Sequence, residues 1–347
     1  MNDFSSRIIK WQHRQGRHSL PWQLDRDPYR IWLSEIMLQQ TQVSTVIPYF
    51  ERFVARFPSL ATLAAAQEDD VLALWSGLGY YSRARNLHAA ARSIIEVHGG
   101  HFPSTPELIA QLPGVGRSTA AAIAALAFGQ SCAILDGNVK RVLARHGGIP
   151  GWPGDKKIEA ALWQMAEARL PQKNIEAYTQ GMMDLGALVC TRSKPACPDC
   201  PVQSDCIAHV QRRTAELPAS RPRKPLPEKQ IQMLLLLDRG ELMLEKRPAR
   251  GIWGGLWSLP ELLLGDDPES HCRDRFGFVT HTQQVLPRIS HSFTHFKLHI
   301  QPVQIHLKPR STSQPGHTWL SPADALNTAL PAPIRKLIAQ LAHPPCM

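Results

Sequence analysis

The run Leu112-Pro113-Gly114-Val115-Gly116-Arg117-Ser118-Thr119-Ala120 joins two stretches of helical patterning, Pro106–Leu112 before it and Ser118–Ala127 after it. Gly114 and Gly116 let the backbone turn tightly and approach a ligand closely. The helix that opens near Arg117–Ser118 presents unpaired N–H groups and the positive end of its dipole. Such a turn seats an anion, and a DNA phosphate suits it. Read without its neighbours, Gly-x-Gly between helices is also an ordinary tight turn.

Outward from this turn the chain continues as helices. Apolar positions at helical period, or Ala-rich runs, predict helices over Glu51–Ala66, Asp69–Leu74, Ala84–His98, Val139–Arg145 and Lys156–Leu170. Gly77, Gly79, Gly99–Gly100 and Gly147–Pro153 punctuate them. The character changes after Cys206. Arg212–Lys229 carries six Lys or Arg and four Pro, the composition of a stiff, basic, extended linker. Beyond it Ile231–Leu237, Leu242–Glu245, Gln284–Leu286 and Phe293–Leu307 read as strands, and Pro333–Leu341 as a closing helix. The expected fold is mainly α, followed by a smaller α+β domain that begins near residue 230.

The 347 residues suggest about two domains. Hydrophobic residues at 43% and charged residues at 20% fit a folded chain, not wholesale disorder. No apolar run approaches the roughly 20 residues that span a bilayer, and the first residues lack the apolar core of a signal peptide. A cytoplasmic location is therefore expected. The formal net charge of +10 favours an acidic partner, nucleic acid being the commonest.

Four of seven cysteines, Cys190, Cys197, Cys200 and Cys206, are spaced C-x6-C-x2-C-x5-C. An odd total argues against a disulfide framework, and the cluster argues for metal. Four thiolates in a compact loop suit either a tetrahedral zinc ion or a [4Fe–4S] cluster. Zinc ribbons usually show two separated Cys-x-x-Cys pairs, and only Cys197–Cys200 is such a pair here. Arg192 and Lys194 lie in the same loop, placed either to meet a phosphate backbone or simply to be solvated.

Two carboxylates stand out. On a helix over Arg30–Gln40, Glu35 shares a stripe with Ile31 and Leu38. A carboxyl on a semi-apolar face tends to be protonated near neutrality, as a general acid must be. Asp136 precedes Gly137-Asn138 and a helix, the place of a capping residue.

LPGVGRSTA at 112–120 is a helix-hairpin-helix signature. Followed by LDGNVKRVLAR at 135–145 and the four-cysteine loop, it resembles the endonuclease III superfamily of DNA glycosylases. SEIMLQQTQV at 34–43, GLGYYSRARNLH at 77–88 and MMDLGALVCTRSKPACPDCP at 182–201 narrow the likeness to the adenine-specific, MutY-type branch. The resemblance covers essentially the whole chain. It implies removal of adenine mispaired with 8-oxoguanine or guanine in double-stranded DNA, by a monomer, nucleoid-associated and of bacterial type. It implies a six-helix part over 27–134, an iron–sulfur part over 1–26 and 135–210 with a [4Fe–4S] cluster on the four cysteines, a linker over 211–229, and a Nudix-like 8-oxoguanine-recognition domain over 230–347.

The resemblance also implies roles. Glu35 is similar to the family's proton donor at adenine N7. Asp136 matches the carboxylate that faces the sugar and stabilises positive charge growing at C1′, and Asn138 helps to position the site. The target nucleotide must leave the helix to be reached, and Gln40 and Tyr80 match residues that occupy the duplex near the base opposite. Leu20, Trp22, Leu38, Val43 and Gln180 align with pocket positions. Thr41, Leu78, Gly79, Gly114, Gly116 and Lys140 are expected at the DNA. Bifunctional relatives carry a Schiff-base lysine where this chain has Ser118; a serine forms no imine, so hydrolysis by water without strand cutting is expected. The family's Phe-Ser-His loop stands here as Phe293-Thr294-His295, which retains a hydroxyl. The alternatives are a bifunctional pyrimidine glycosylase/lyase, a nucleotide pyrophosphohydrolase and a non-catalytic DNA-binding iron–sulfur protein. Ser118 and the C-terminal domain count against the first. GIWGGLWSLPE at 251–261 is Nudix-like, but only Asp266, Asp267, Glu269 and Asp274 follow, not a metal-binding glutamate run, which counts against the second. A chain ending near Arg221 is expected to keep excision and to lose preference for 8-oxoguanine.

Overall fold

The computed structural model describes residues 3–222, 225–308 and 317–342. They divide into two compact units, Met1–Ala65 with Asn86–Arg223, and Ala66–Arg85 with Lys224–Met347.

The first unit is helical. It contains α1 (Asp3–Gln15), α2 (Pro28–Leu38), α3 (Val43–Arg56) and α4 (Leu60–Ala65). The second unit takes α5 (Glu68–Trp75) and the start of α6 (Ser82–His98). The first then resumes with α7 (Pro106–Ile109), α8 (Arg117–Phe128), α9 (Gly137–His146), α10 (Lys156–Ala168), α11 (Ile175–Asp184) and α12 (Ile207–Val210). The predicted helix Glu51–Ala66 is two helices, α3 and α4. Pro58 lacks an N–H and pushes Phe57 out of the helical region, to φ −124°. Helices α1 and α11, unassigned from the sequence, pack on each other. Phe4, Ile8 and Ile9 of α1 join Tyr178 and Met182 of α11 in one core with Val139, Val142 and Leu143 of α9. That core holds α9 against α11 and so sets the two walls of the site described below.

The second unit is a mixed sheet of β1 (Glu228–Asp238), β2 (Glu241–Lys246), β3 (Trp257–Ser258), β4 (Glu261–Leu263), β5 (Thr280–Val285), β6 (Ile289–Ser292), β7 (Lys297–Leu307) and β8 (His317–Leu320), with α13 (Pro268–Phe276), α14 (Pro322–Ala325) and α15 (Ala332–Ala342). Its order is β3-β2-β1-β7-β5, with β4 beside β1, β6 beside β7 and β8 beside β2. β1 and β7 run parallel, Leu234 opposite Val303 and Leu236 opposite Ile305. Met233–Leu236 is fully buried, which is why it reads as a continuous apolar run and not as an alternation. The predicted strand Phe293–Leu307 is broken. Residues 293–296 form the turn between β6 and β7, closed by Phe293 N–H to Phe296 O at 2.9 Å.

The basic stretch after Cys206 is not extended throughout. Its first part docks on the helical unit: Leu217 is buried, its carbonyl accepts from Arg145 Nε at 2.7 Å, and Ala219 N–H donates to Gly151 O at 3.1 Å.

Candidate active site

Asp27 caps α2 by accepting the Tyr29 N–H at 2.9 Å, and Pro28 supplies the first helical φ. Tyr29 Oη then donates to Phe57 O at 2.7 Å, and Trp32, Leu33 and Met37 fill the core. This anchoring turns Glu35 toward two adjoining cavities. One, of about 460 Å³, is also lined by Arg17, Trp22, Ile31 and Gln180. The other, of about 940 Å³, is also lined by Leu38, Gln40, Thr41, Val43, Ser118, Asp136 and Asn138. Burial, reinforced by the Asp136 charge, pushes the Glu35 carboxyl up to about 7.

Asp136 is the N-cap of α9 and accepts the Val139 N–H at 2.7 Å. Burial raises its pKa, against the opposing pull of that N–H and of the Arg141 and Lys140 cations. One side chain therefore both caps α9 and lines the larger cavity. Ser118 Oγ accepts the Leu135 N–H at 2.9 Å, which ties the first turn of α8 to the residue before Asp136. Gln40 holds a left-handed backbone, φ 58°, in the turn between α2 and α3, a conformation that costs a non-glycine residue about 1 kcal/mol. Gly114 is also left-handed, φ 77°, and a Cβ there would lie 2.7 Å from Asn86 Cβ; Gly116 is the N-cap of α8.

Some predicted residues lie elsewhere. Leu20 is buried beside Trp22 at the start of the short turn Pro21–Gln23. Lys140 does not line either cavity; its ammonium is 2.6 Å from Glu159 Oε1. Leu78, Gly79, Tyr80, Phe293, Thr294 and His295 meet in the second unit, around a separate cavity of about 740 Å³. There Tyr80 is also left-handed, φ 49°, and half exposed. Arg83 donates to Leu78 O at 3.3 Å and Gly79 O at 3.2 Å, holding that turn. Phe293 stacks on Phe296 with centroids 4.6 Å apart and meets Trp253 at 5.3 Å.

Three residues escaped the sequence reading. Arg17 lines both cavities. Asp184, wholly buried, accepts from Gln180 Nε2 at 2.8 Å. Arg141 donates to Asn138 Oδ1 at 2.8 Å, Gly186 O at 2.6 Å and Cys190 O at 2.7 Å. The last two stand four and three residues along a helix from Gln180 and Asn138, a spacing at which helical side chains meet.

The loop that carries the cysteines follows a π-helical turn, Leu185–Val189. The six described cysteines are free thiols, and Cys346 lies outside the described residues. Among the described residues no three Cys, His, Asp or Glu side chains converge tightly enough to chelate a single ion. The four thiols nevertheless act on one another electrostatically. Burial, Cys190 and the other loop thiols push Cys200 up to about 12, and burial with Cys190 also raises Cys197 and Cys206. Arg145 Nη1 lies 3.4 Å from Cys190 Sγ, and backbone N–H groups of Val202, His209 and Ala208 bond to Cys200 and Cys206. Four thiols spread over a loop and met by N–H donors and a guanidinium fit a multi-iron cluster better than one zinc ion.

A hairpin between helices, a cleft holding two carboxyl groups and a cysteine loop define a base-excision glycosylase fold. Residues 33–168 match the HhH-GPD superfamily of base excision DNA repair proteins, and residues 232–340 match the NUDIX domain. The adenine DNA glycosylase of Buchnera aphidicola subsp. Acyrthosiphon pisum (strain APS) is 38% identical over 96% of this chain and 96% of its own. That of Rattus norvegicus is 34% identical over 96% of this chain and 77% of its own. A thermostable thymine-DNA glycosylase superposes with TM-score 0.54 at 30% identity, covering 60% of this chain and 95% of its own. An endonuclease III in a non-covalent complex with DNA superposes with TM-score 0.51 at 22% identity, covering 60% and 94%, a likeness of fold. The chain belongs to the adenine DNA glycosylase family. Among the described residues no helix is long and apolar enough to cross a membrane.

Proposed function

We propose that the chain hydrolyses the N-glycosidic bond of adenine paired with 8-oxoguanine or guanine in duplex DNA, and that it leaves the strand intact. The observation that carries this is Glu35, placed where two cavities adjoin, with its carboxyl pushed up to about 7 beside a second carboxyl. The smaller cavity takes the extruded base between Trp22, Ile31 and Gln180. Glu35 donates its proton to adenine N7, so the base departs neutral. Asp136, in the larger cavity, faces the sugar and offsets the positive charge that grows at C1′, with Asn138 alongside. Leu38 and Val43 line the pocket, Gln40 enters the duplex near the base opposite with Thr41 beside it at the DNA, and Gly114 and Gly116 receive a phosphate at the hairpin.

Ser118 provides no amine, and the Lys140 ammonium is engaged by Glu159; both support hydrolysis by water. The Phe293-Thr294-His295 turn and Tyr80 read the base opposite adenine. Cys190, Cys197, Cys200 and Cys206 hold a [4Fe–4S] cluster. When bound, such a cluster supplies iron–thiolate bonds that tie residues 190–206 into one rigid loop. The test is incubation with a duplex carrying adenine opposite 8-oxoguanine. Free adenine and a strand that breaks only after alkali are expected. Nicking at neutral pH by the purified chain would overturn the monofunctional reading, and intact adenine would overturn the whole.

A further inference from the structure

Gln180 lines the cavity beside Glu35, but its amide is not free to choose which end it shows there. One end points to Asp184, one turn along α11, at 2.8 Å. Asp184 is wholly buried, and Arg17 fastens it from the other side. The Arg17 backbone N–H donates to Oδ2 at 2.8 Å, while Nε and Nη2 meet Oδ1 at 2.7 and 2.6 Å. A carboxylate held this way only accepts hydrogen bonds. The atom of Gln180 that faces it must be the amide nitrogen, whichever way the amide is drawn. The polar atom left to the cavity is the carbonyl oxygen, an acceptor.

We propose that Asp184 is a positioning residue for base selection: it fixes the Gln180 amide so that an acceptor meets the 6-position of the bound purine. The inference rests on the reading of this cavity as the base pocket. Adenine carries an amino donor at that position and matches the acceptor. Hypoxanthine carries a carbonyl there, which would meet the Gln180 oxygen acceptor to acceptor. Arg17 belongs to the same device, because it holds the carboxylate that holds the amide. A buried polar site of this kind discriminates mainly by leaving the wrong partner unpaired.

The test measures single-turnover excision of adenine and of hypoxanthine, each opposite 8-oxoguanine, by the full chain. The readout is the ratio of the two rates on one preparation, from which loss of folded protein cancels. Asp184→Asn, which can donate to the Gln180 oxygen and release its nitrogen to the cavity, should lower the adenine-to-hypoxanthine ratio about tenfold. Asp184→Glu, still acceptor-only, should restore most of the ratio. Gln180→Met alone should lower it, and adding Asp184→Asn to Gln180→Met should then change it less than about twofold. A uniform fall in both rates with Asp184→Asn would overturn the proposal, as would an unchanged ratio in Gln180→Met with Asp184 intact. A wild-type chain that leaves adenine in place would overturn the reading of the site, a result distinct from either.

Discussion

The cavities around Glu35 and the cavity around Phe293 are built from opposite materials. The first pair is lined by ionisable groups: Glu35 of α2 lifted to about 7, Asp136 at the cap of α9 raised by burial, and Arg17, in the loop after α1, locked to the buried Asp184. The second is lined by aromatic rings, glycines and hydroxyls, with no carboxylate among its described lining residues. Its one shifted imidazole, His291, is held below its ordinary value by burial and by Lys336, so it stays neutral near pH 7. Buried carboxyls can move protons and answer charge as a bond breaks. Rings and hydroxyls can stack and match hydrogen bonds without taking part in that step. On the function proposed above, the contrast separates breaking a bond from recognising the partner base, within one chain.

The largest expected effect falls on the first region. Glu35→Gln should retain duplex binding and lose about 10²–10⁴-fold in single-turnover adenine excision. Asp136→Asn should fall in the same direction with little loss of stability, because asparagine also caps helices well. Near-wild-type rates in either variant would erase the contrast.

The pH dependence follows from the direction of the Glu35 shift. Its active form is protonated while Asp136 must stay ionised, so the excision rate should fall about tenfold per unit well above pH 7 and fall again on the acid side as Asp136, itself raised by burial, takes up a proton. The same shift affects stability. The folded chain holds this proton more tightly than the unfolded one, so stability declines as pH rises from the ordinary carboxyl value toward about 7. Glu35→Gln should therefore be the more stable protein at pH 8, by about 1–3 kcal/mol, with the advantage shrinking toward pH 4. Denaturant melts at the two pH values decide it.

A smaller effect belongs to the second region. Phe293→Ala should lower preference for 8-oxoguanine over guanine about tenfold and leave excision opposite guanine within a few-fold, because one stacked ring is worth about 1–3 kcal/mol per base. Equal losses opposite both bases would mean that this cavity also serves the chemistry. Point variants are a cleaner probe than truncation near Arg221. Tyr81 Oη and Ser76 Oγ donate to Leu330 O at 3.2 Å, so a truncated chain leaves Ala66–Arg85 without its packing partners. The smallest expected effect is at Cys132 and Cys272, whose exchange for serine should leave iron content unchanged, whereas Cys190→Ser should lower it.

Much of this was legible in the order of residues. LPGVGRSTA announces a hairpin between helices because glycine and proline restrict the backbone locally. Helical period marks α8, α9 and α10, and the cysteine spacing marks the loop proposed to hold the cluster, since all of these are short-range properties. Glu35 was legible as a carboxyl on a semi-apolar stripe of α2. The helix break at Pro58 was visible in principle, but an apolar pattern that runs through a proline looks continuous until the missing N–H is counted. The turn inside Phe293–Leu307 was hidden because its residues are as apolar and aromatic as the strands that flank it.

By itself, then, the sequence determined the helical class, the hairpin, the cysteine loop and the two carboxyls that could do acid and electrostatic work. Tertiary structure alone decided that Glu35 lies where two cavities adjoin and titrates near 7, because desolvation depends on every atom packed around it. It alone brought Tyr80 beside Phe293, more than two hundred residues along the chain, and turned Lys140 toward Glu159. It also set Arg17 on Asp184. Local propensity acts over a few residues, whereas charge, burial and pairing are settled by which distant segments share a core.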